Sequence, residues 1–134
     1  MPDFPESIAP MTIQTSHAAA EGYAALTKDW NPIHLDPDFA ARTPFGRPIA
    51  HGTMALNLLV EAVGRASGGA LRVADLDIRF VSPTFVGESL TADGTRDGRE
   101  GAYEVRVTAG EGRIVLQGRA TLAPKTRAGG AECR

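Results

Sequence analysis

The stretch from His51 to Ala66 limits the possible folds more than any other part of the chain. At helical spacing, Thr53, Asn57, Glu61, Gly64 and Arg65 fall in roughly one narrow stripe. Met54, Ala55, Leu56, Leu58, Leu59, Val60, Ala62 and Val63 fill the remaining surface. A helix that is apolar over most of its circumference must be surrounded rather than docked along one side. Ser67-Gly68-Gly69 ends it.

The material to surround it follows in sequence. Leu76, Ile78 and Phe80 oppose Asp75, Asp77 and Arg79, and Tyr103, Val105 and Val107 alternate with Glu104, Arg106 and Thr108. This period of two is that of half-buried strands. Segments 71–82, 88–96, 102–109 and 113–122 are separated by turn clusters at Ser82-Pro83, Asp97-Gly98 and Gly110-Glu111-Gly112. Connections this short favour antiparallel neighbours over βαβ units. The predicted class is therefore α+β, an antiparallel sheet curled around one long central helix.

The N-terminal third supplies shorter elements. Residues 1–10 carry three prolines and read as an irregular lead-in, with a short strand predicted over Met11–Thr15. Ser16 is a plausible N-cap for a helix through Thr27. Pro32 ends any helical continuation, because the residue before a proline is pushed out of the α region. Asp36-Pro37 reads as a cap plus a proline at the first helical position, opening a short helix through Arg42. Thr43-Pro44-Phe45-Gly46 is a loop, and the polar tail from Lys125 is expected to be loose. At 134 residues the chain is expected to form one domain.

Composition excludes several classes of function. With 43% hydrophobic and 22% charged residues, the chain has the profile of a soluble globular protein rather than a disordered one. A formal net charge of −2 and the lack of a basic block give no support for a nucleic-acid or anionic-membrane partner. The first ten residues have neither the basic nor the apolar region of a signal peptide, and no apolar run approaches the roughly 18 residues of a membrane span. Cys133 is the single cysteine, which excludes a disulfide framework and makes a cytoplasmic location the expectation.

Chemistry concentrates in Asp29-Trp30-Asn31-Pro32-Ile33-His34-Leu35-Asp36 and in Arg47-Pro48-Ile49-Ala50-His51-Gly52. The first run puts an aspartate at a helix end and a histidine in the loop that Pro32 enforces. A reversing backbone lets the two side chains converge, and a carboxylate beside an imidazole can hold and activate one water. Histidine is the residue type that exchanges protons near neutral pH. The second run ends where the apolar helix begins. The N–H groups there lack intrahelical partners and lie at the positive end of the helix dipole, and Gly52 allows a ligand close approach. Such a donor suits a thioester carbonyl oxygen that gains negative charge.

Together the two runs, with Arg79-Phe80-Val81-Ser82-Pro83 and Gly87-Glu88-x-Leu90, resemble the MaoC-like hydratases and dehydratases over roughly residues 12–122. The resemblance implies a hot-dog fold that dimerises by joining two sheets, with an acyl-pantetheine tunnel at the interface. It implies a hydro-lyase that interconverts trans-2-enoyl and (R)-3-hydroxyacyl thioesters carried on CoA or acyl carrier protein. Asp29 and His34 would activate the water, the Gly52 N–H would polarise the thioester carbonyl, and Asn31 would hold the loop. Val60 and Val63 are expected along the acyl tunnel. No metal or organic cofactor is implied. The expected assembly is a homodimer, with a dimer of dimers or a heterodimer as variants. The chain departs from the family pattern at Thr27-Lys28, where serine and glycine are usual, and it lacks the usual Val-Gly-Asp-like turn in its first strand region.

Other readings have less support. An acyl-CoA thioesterase would use a carboxylate on the long helix, for which Glu61 is the candidate, but leaves Asp29 and His34 without work. A catalytically silent acyl-binding subunit would not need the complete pair. A metal cluster of Asp29, His34, Asp36 and Asp38 is weakened by the capping role of Asp36. His51 is expected to help form the helix start and His17 to lie on the surface. Arg42, Arg47 and Arg65 are expected to be scattered surface arginines, and Cys133 to be inert.

Overall fold

The computed structural model of the protein describes residues 4–125. In chain order its elements are β1 (Ser7–Gln14), α1 (His17–Thr27), α2 (Pro32–Leu35), α3 (Pro37–Ala41), α4 (Gly52–Ala66), β2 (Leu71–Phe80), β3 (Ser89–Arg96), β4 (Ala102–Ala109) and β5 (Arg113–Pro124). The five strands form one sheet in the order β1-β3-β4-β5-β2, with every neighbouring pair antiparallel. β1 and β2 are the edges. α4 lies across the sheet and packs against all five strands. The α+β expectation holds, and the four strands predicted after the long helix fall within two residues of the observed β2 to β5.

Alternation sets the sheet's two faces. Tyr103, Val105, Val107 and Ala109 of β4 are buried against α4, while Glu104 and Arg106 face outward. In β5, Val115 and Leu116 are both buried because the β4–β5 register shifts between Val107 and Thr108. Such a bulge turns one carbonyl out of the ladder. The Val115 oxygen accepts the Val81 N–H at 2.7 Å and the Ser82 N–H at 3.4 Å, and so directs the chain leaving β2.

Three expectations need correction. β1 begins at Ser7, not Met11, so the lead-in is strand over residues 7–10. Pro10 fits because β1 is an edge strand and its pairing with β3 shifts register between Ile8 and Met11. Pro32 does not only forbid a helix: it occupies the first turn of α2, where a missing N–H costs nothing. His34 is therefore on a helical turn and not in a loop. Third, α4 is covered on one face only. Met54, Ala55, Leu58, Leu59, Ala62 and Val63 are buried, whereas Val60 is 46% exposed. A single five-stranded sheet wraps about half a helix.

At the end of β5, the Lys125 N–H donates to the Ala70 oxygen. The rest of the predicted tail, with Cys133, lies outside the described residues. Among those described, no helix is long and apolar enough to cross a membrane.

Candidate active site

α1 starts as its sequence indicates, with Ser16 Oγ accepting the Ala19 N–H at 3.0 Å. It ends at Lys28, whose backbone is left-handed at φ 62° and ψ 28° and whose N–H caps the Ala24 carbonyl. Among the described residues Lys28 is the one non-glycine with positive φ. This turn swings the chain so that Asp29 begins a new direction. The Asp29 Oδ1 accepts the Asn31 N–H at 3.3 Å, and the Asn31 Oδ1 accepts the Ile33 N–H at 3.0 Å. Asn31 is thus the N-cap of α2. One turn further on, His34 comes back alongside Asp29.

The His34 ring is buried, and its Nδ1 lies 2.7 Å from the Ile49 carbonyl oxygen. A carbonyl can only accept, so Nδ1 carries a proton and the lone pair of the neutral ring is on Nε2. That Nε2 is 3.6 Å from the Asp29 Oδ2. The separation is too long for a direct hydrogen bond but lets both atoms bind one water at about 2.8 Å. The Asp29 side chain is half-exposed, so the pair opens toward solvent.

Gly52 is the first residue of α4, and its N–H has no intrahelical acceptor. It lines a cleft of ≈ 370 Å³ together with His34, His51, Phe45, Phe80 and Pro83. Phe80, Val81 and Phe45 leave apolar surface exposed at this cleft. A mostly apolar hollow with a few convergent polar groups is the usual form of a small-molecule site. The structure thus brings Asp29 beside His34 with Asn31 bonded to Asp29, and His34 and Gly52 share the cleft, whose lining does not include Asp29 or Asn31. Val60 and Val63 stand two to three turns further along α4, the first on its open flank and the second in the core.

Two features escaped the sequence reading. His51 is the N-cap residue of α4 but makes no capping bond with its side chain. Its ring instead stacks on His34, with centroids 3.9 Å apart and planes at 26°. The other feature is the support beneath the Ile49 carbonyl. The Ala50 N–H donates to the Thr84 oxygen at 2.7 Å and the Val86 N–H to the Pro48 oxygen at 3.0 Å, so residues 48–50 ride on the 84–86 loop. Glu88 fixes that loop by accepting the Phe85 N–H at 2.8 Å and a two-pronged contact from Arg113 at 2.7 and 2.9 Å. The Arg113 hydrogen bonds hold the Glu88 carboxyl below the usual carboxylate range, in spite of its partial burial. Gly87-Glu88 in the sequence was the available signal; its partner Arg113 lies a strand pair away.

Donor atoms of Asp29, His34 and His51 lie within 4.8 Å of one another, close enough to suggest a metal. The geometry fits poorly. Nitrogen lone pairs of two stacked imidazoles run side by side and do not converge on one ion, and the His51 Nε2 is already 3.0 Å from the Asp29 carbonyl oxygen. Asp36 caps α3 through the Asp38 and Phe39 N–H groups, as its sequence position suggested. Glu61, the thioesterase candidate, is exposed and paired with Arg65 at 3.2 Å, away from the Gly52 end of its helix.

The MaoC like domain family matches residues 5–123. The chain belongs to this family. The (R)-specific enoyl-CoA hydratase of Aeromonas caviae is 40% identical over 77 residues, which are 57% of this chain and 58% of that protein. The matched stretch therefore spans less than two thirds of that relative's length. A protein with the same name from Rhodospirillum rubrum is 30% identical over 105 residues, covering 75% of this chain and 73% of its own. In three dimensions the chain is similar to the (R)-hydratase from A. caviae involved in PHA biosynthesis. The TM-score is 0.77 at 28% identity, over 90% of this chain and 95% of the other. Helix α4 against the β1-β3-β4-β5-β2 sheet is the hot-dog fold.

Proposed function

We propose that this chain reversibly adds water to trans-2-enoyl thioesters to give (R)-3-hydroxyacyl thioesters, with Asp29 and His34 as the working pair. The observation that carries the reading is the 3.6 Å gap between the Asp29 Oδ2 and the His34 Nε2, with the imidazole's tautomer fixed by the Ile49 carbonyl. The names of the relatives point the same way. In hydration, the thioester oxygen accepts the Gly52 N–H while the pair grips one water. The Nε2 lone pair takes a water proton as the oxygen attacks C3, and the displaced electrons collect on the thioester oxygen as an enolate. The imidazolium then returns its proton to C2, so one water has been added and the site is restored. Throughout, the Asp29 carboxylate offsets the charge on the ring. Dehydration is the reverse path.

The reaction needs no metal or organic cofactor, and CoA or acyl carrier protein enters only as part of the substrate. We propose further that a second copy covers the open flank of α4, enclosing an acyl tunnel beside Val60 with Val63 beneath its wall. Exposed Val60, Phe80 and Val81 support this, because an unpaired apolar flank next to an edge strand favours association. The test is hydration of trans-2-enoyl-CoAs from four to twelve carbons, read as loss of enoyl absorbance with chiral analysis of the product. Release of free thiol without loss of the enoyl signal would refute the reading.

A further inference from the structure

His51 is almost fully buried, and the mechanism above gives it no step. Its Nε2 lies 3.0 Å from the Asp29 carbonyl oxygen and must donate, since that oxygen can only accept. Its Nδ1 is buried and has no hydrogen-bond partner among the described residues. The two stacked histidines carry opposite tautomers. His34 has its proton on Nδ1 and a bare Nε2, whereas His51 has its proton on Nε2 and a bare Nδ1. One ring of His51 therefore touches both members of the pair: its edge grips the main chain of Asp29, and its face fixes the plane of His34. The Tyr23 ring stands behind it with centroids 5.0 Å apart.

From this we infer that His51 is a positioning residue that sets the Asp29–His34 separation by tethering the Asp29 backbone through its Nε2–H. The inference rests on the hydratase reading and adds the residue on which its geometry depends. Two substitutions divide the tether from the stacking. Glutamine places an amide nitrogen the same number of bonds from the backbone as Nε2, so His51→Gln keeps the donor and loses the ring face. Phenylalanine keeps a ring against His34 and loses the donor.

Steady-state hydration kinetics and a melting curve on each full-length variant form the test. A misplaced reacting group typically costs about 10²-fold in rate. His51→Phe should lower kcat by about that factor, with KM changed less than about threefold, because the loss falls on the transition state and not on binding. His51→Gln should stay within about tenfold of the parent kcat. The inference fails if His51→Phe keeps kcat within about threefold, or if both variants lose kcat equally. Nitrogen spectra of the histidine rings supply an arm that needs no turnover. A His51 protonated on Nδ1 overturns the tautomer pattern and the tether with it. If the parent chain hydrates no enoyl thioester, the hydratase reading fails by itself. The tether is then judged by the Asp29 amide and His34 ring signals, which should shift in His51→Phe and hold in His51→Gln. Their holding in both refutes it.

Discussion

Lys28 is where the chain departs from its family's glycine, and the structure gives that departure a cost that can be measured. At φ 62° its Cβ crowds the following carbonyl, an arrangement that costs an L-residue roughly 1–2 kcal/mol and glycine nothing. Glycine in turn gives the unfolded chain more freedom, which costs about 0.4–1 kcal/mol on folding. Lys28→Gly should therefore stabilise the fold by about 0.5–1 kcal/mol net. Lys28→Ala should gain nothing, because alanine has the same Cβ. Lys28→Val should lose about 1 kcal/mol, because a β-branched side chain tolerates this region least. Urea unfolding gives the answer as a shift in midpoint at unchanged slope, a gain of several tenths of a molar for glycine at a slope of about 1–3 kcal/mol per molar. If glycine lowers the midpoint, or valine matches lysine, the backbone at residue 28 is not under the strain its φ indicates. Asp29 follows directly, so a relaxed turn should leave kcat for hydration unchanged; the strain lies in the turn and not in the pair.

Asp29→Asn and His34→Ala should each lower crotonyl-CoA hydration by about 10²–10⁴-fold with circular dichroism unaltered, and near-parental turnover in either would remove that residue from the mechanism. Gly52→Pro keeps a residue suited to the first helical position and deletes the N–H, so kcat should fall about 10²–10³-fold while α4 persists; unchanged kcat would place the oxyanion donor elsewhere. Because Arg113 lowers the folded Glu88 carboxyl below its unfolded value, the pair's contribution is complete above the ordinary carboxylate range and is lost as pH falls through the lowered value. Glu88→Gln should thus cost stability at neutral pH and progressively less toward about pH 3, and a constant difference in urea midpoint would contradict the ion pair. Val60→Asp should shift sedimentation from dimer to monomer if a second copy covers α4; an unaltered dimer would put the interface elsewhere.

What was legible in the sequence depended on interactions local in the chain. The alternation in β4, the Ser16 and Asp36 caps and the apolar run of α4 each follow from neighbours within four residues, and each fell close to its predicted place. Pro32 shows the limit even at this range. The same residue bars continuation of one helix and begins another, and the choice is made by Lys28 turning left-handed and Asn31 capping. The open flank of α4 was misjudged for a different reason. Apolar residues mark surface that will be covered without saying by which chain, so Val60 and Leu59 read alike although one is exposed and the other buried.

His51 is the sharper case. Its neighbours in sequence make it a helix-start residue, and it occupies that position. Its side chain answers instead to Asp29, 22 residues earlier, and to the face of His34. A two-residue motif specifies where a backbone goes; it does not specify what a ring will meet after two intervening helices have folded back on it. The aspartate and the histidine could be read as a pair because Asn31 and Pro32 make a bend between them. The separation that makes them a useful pair is held from outside that bend, by the Ile49 carbonyl on one side and the His51 N–H on the other. Residue types therefore located the candidate pair, while its dimensions came from contacts between segments distant in sequence.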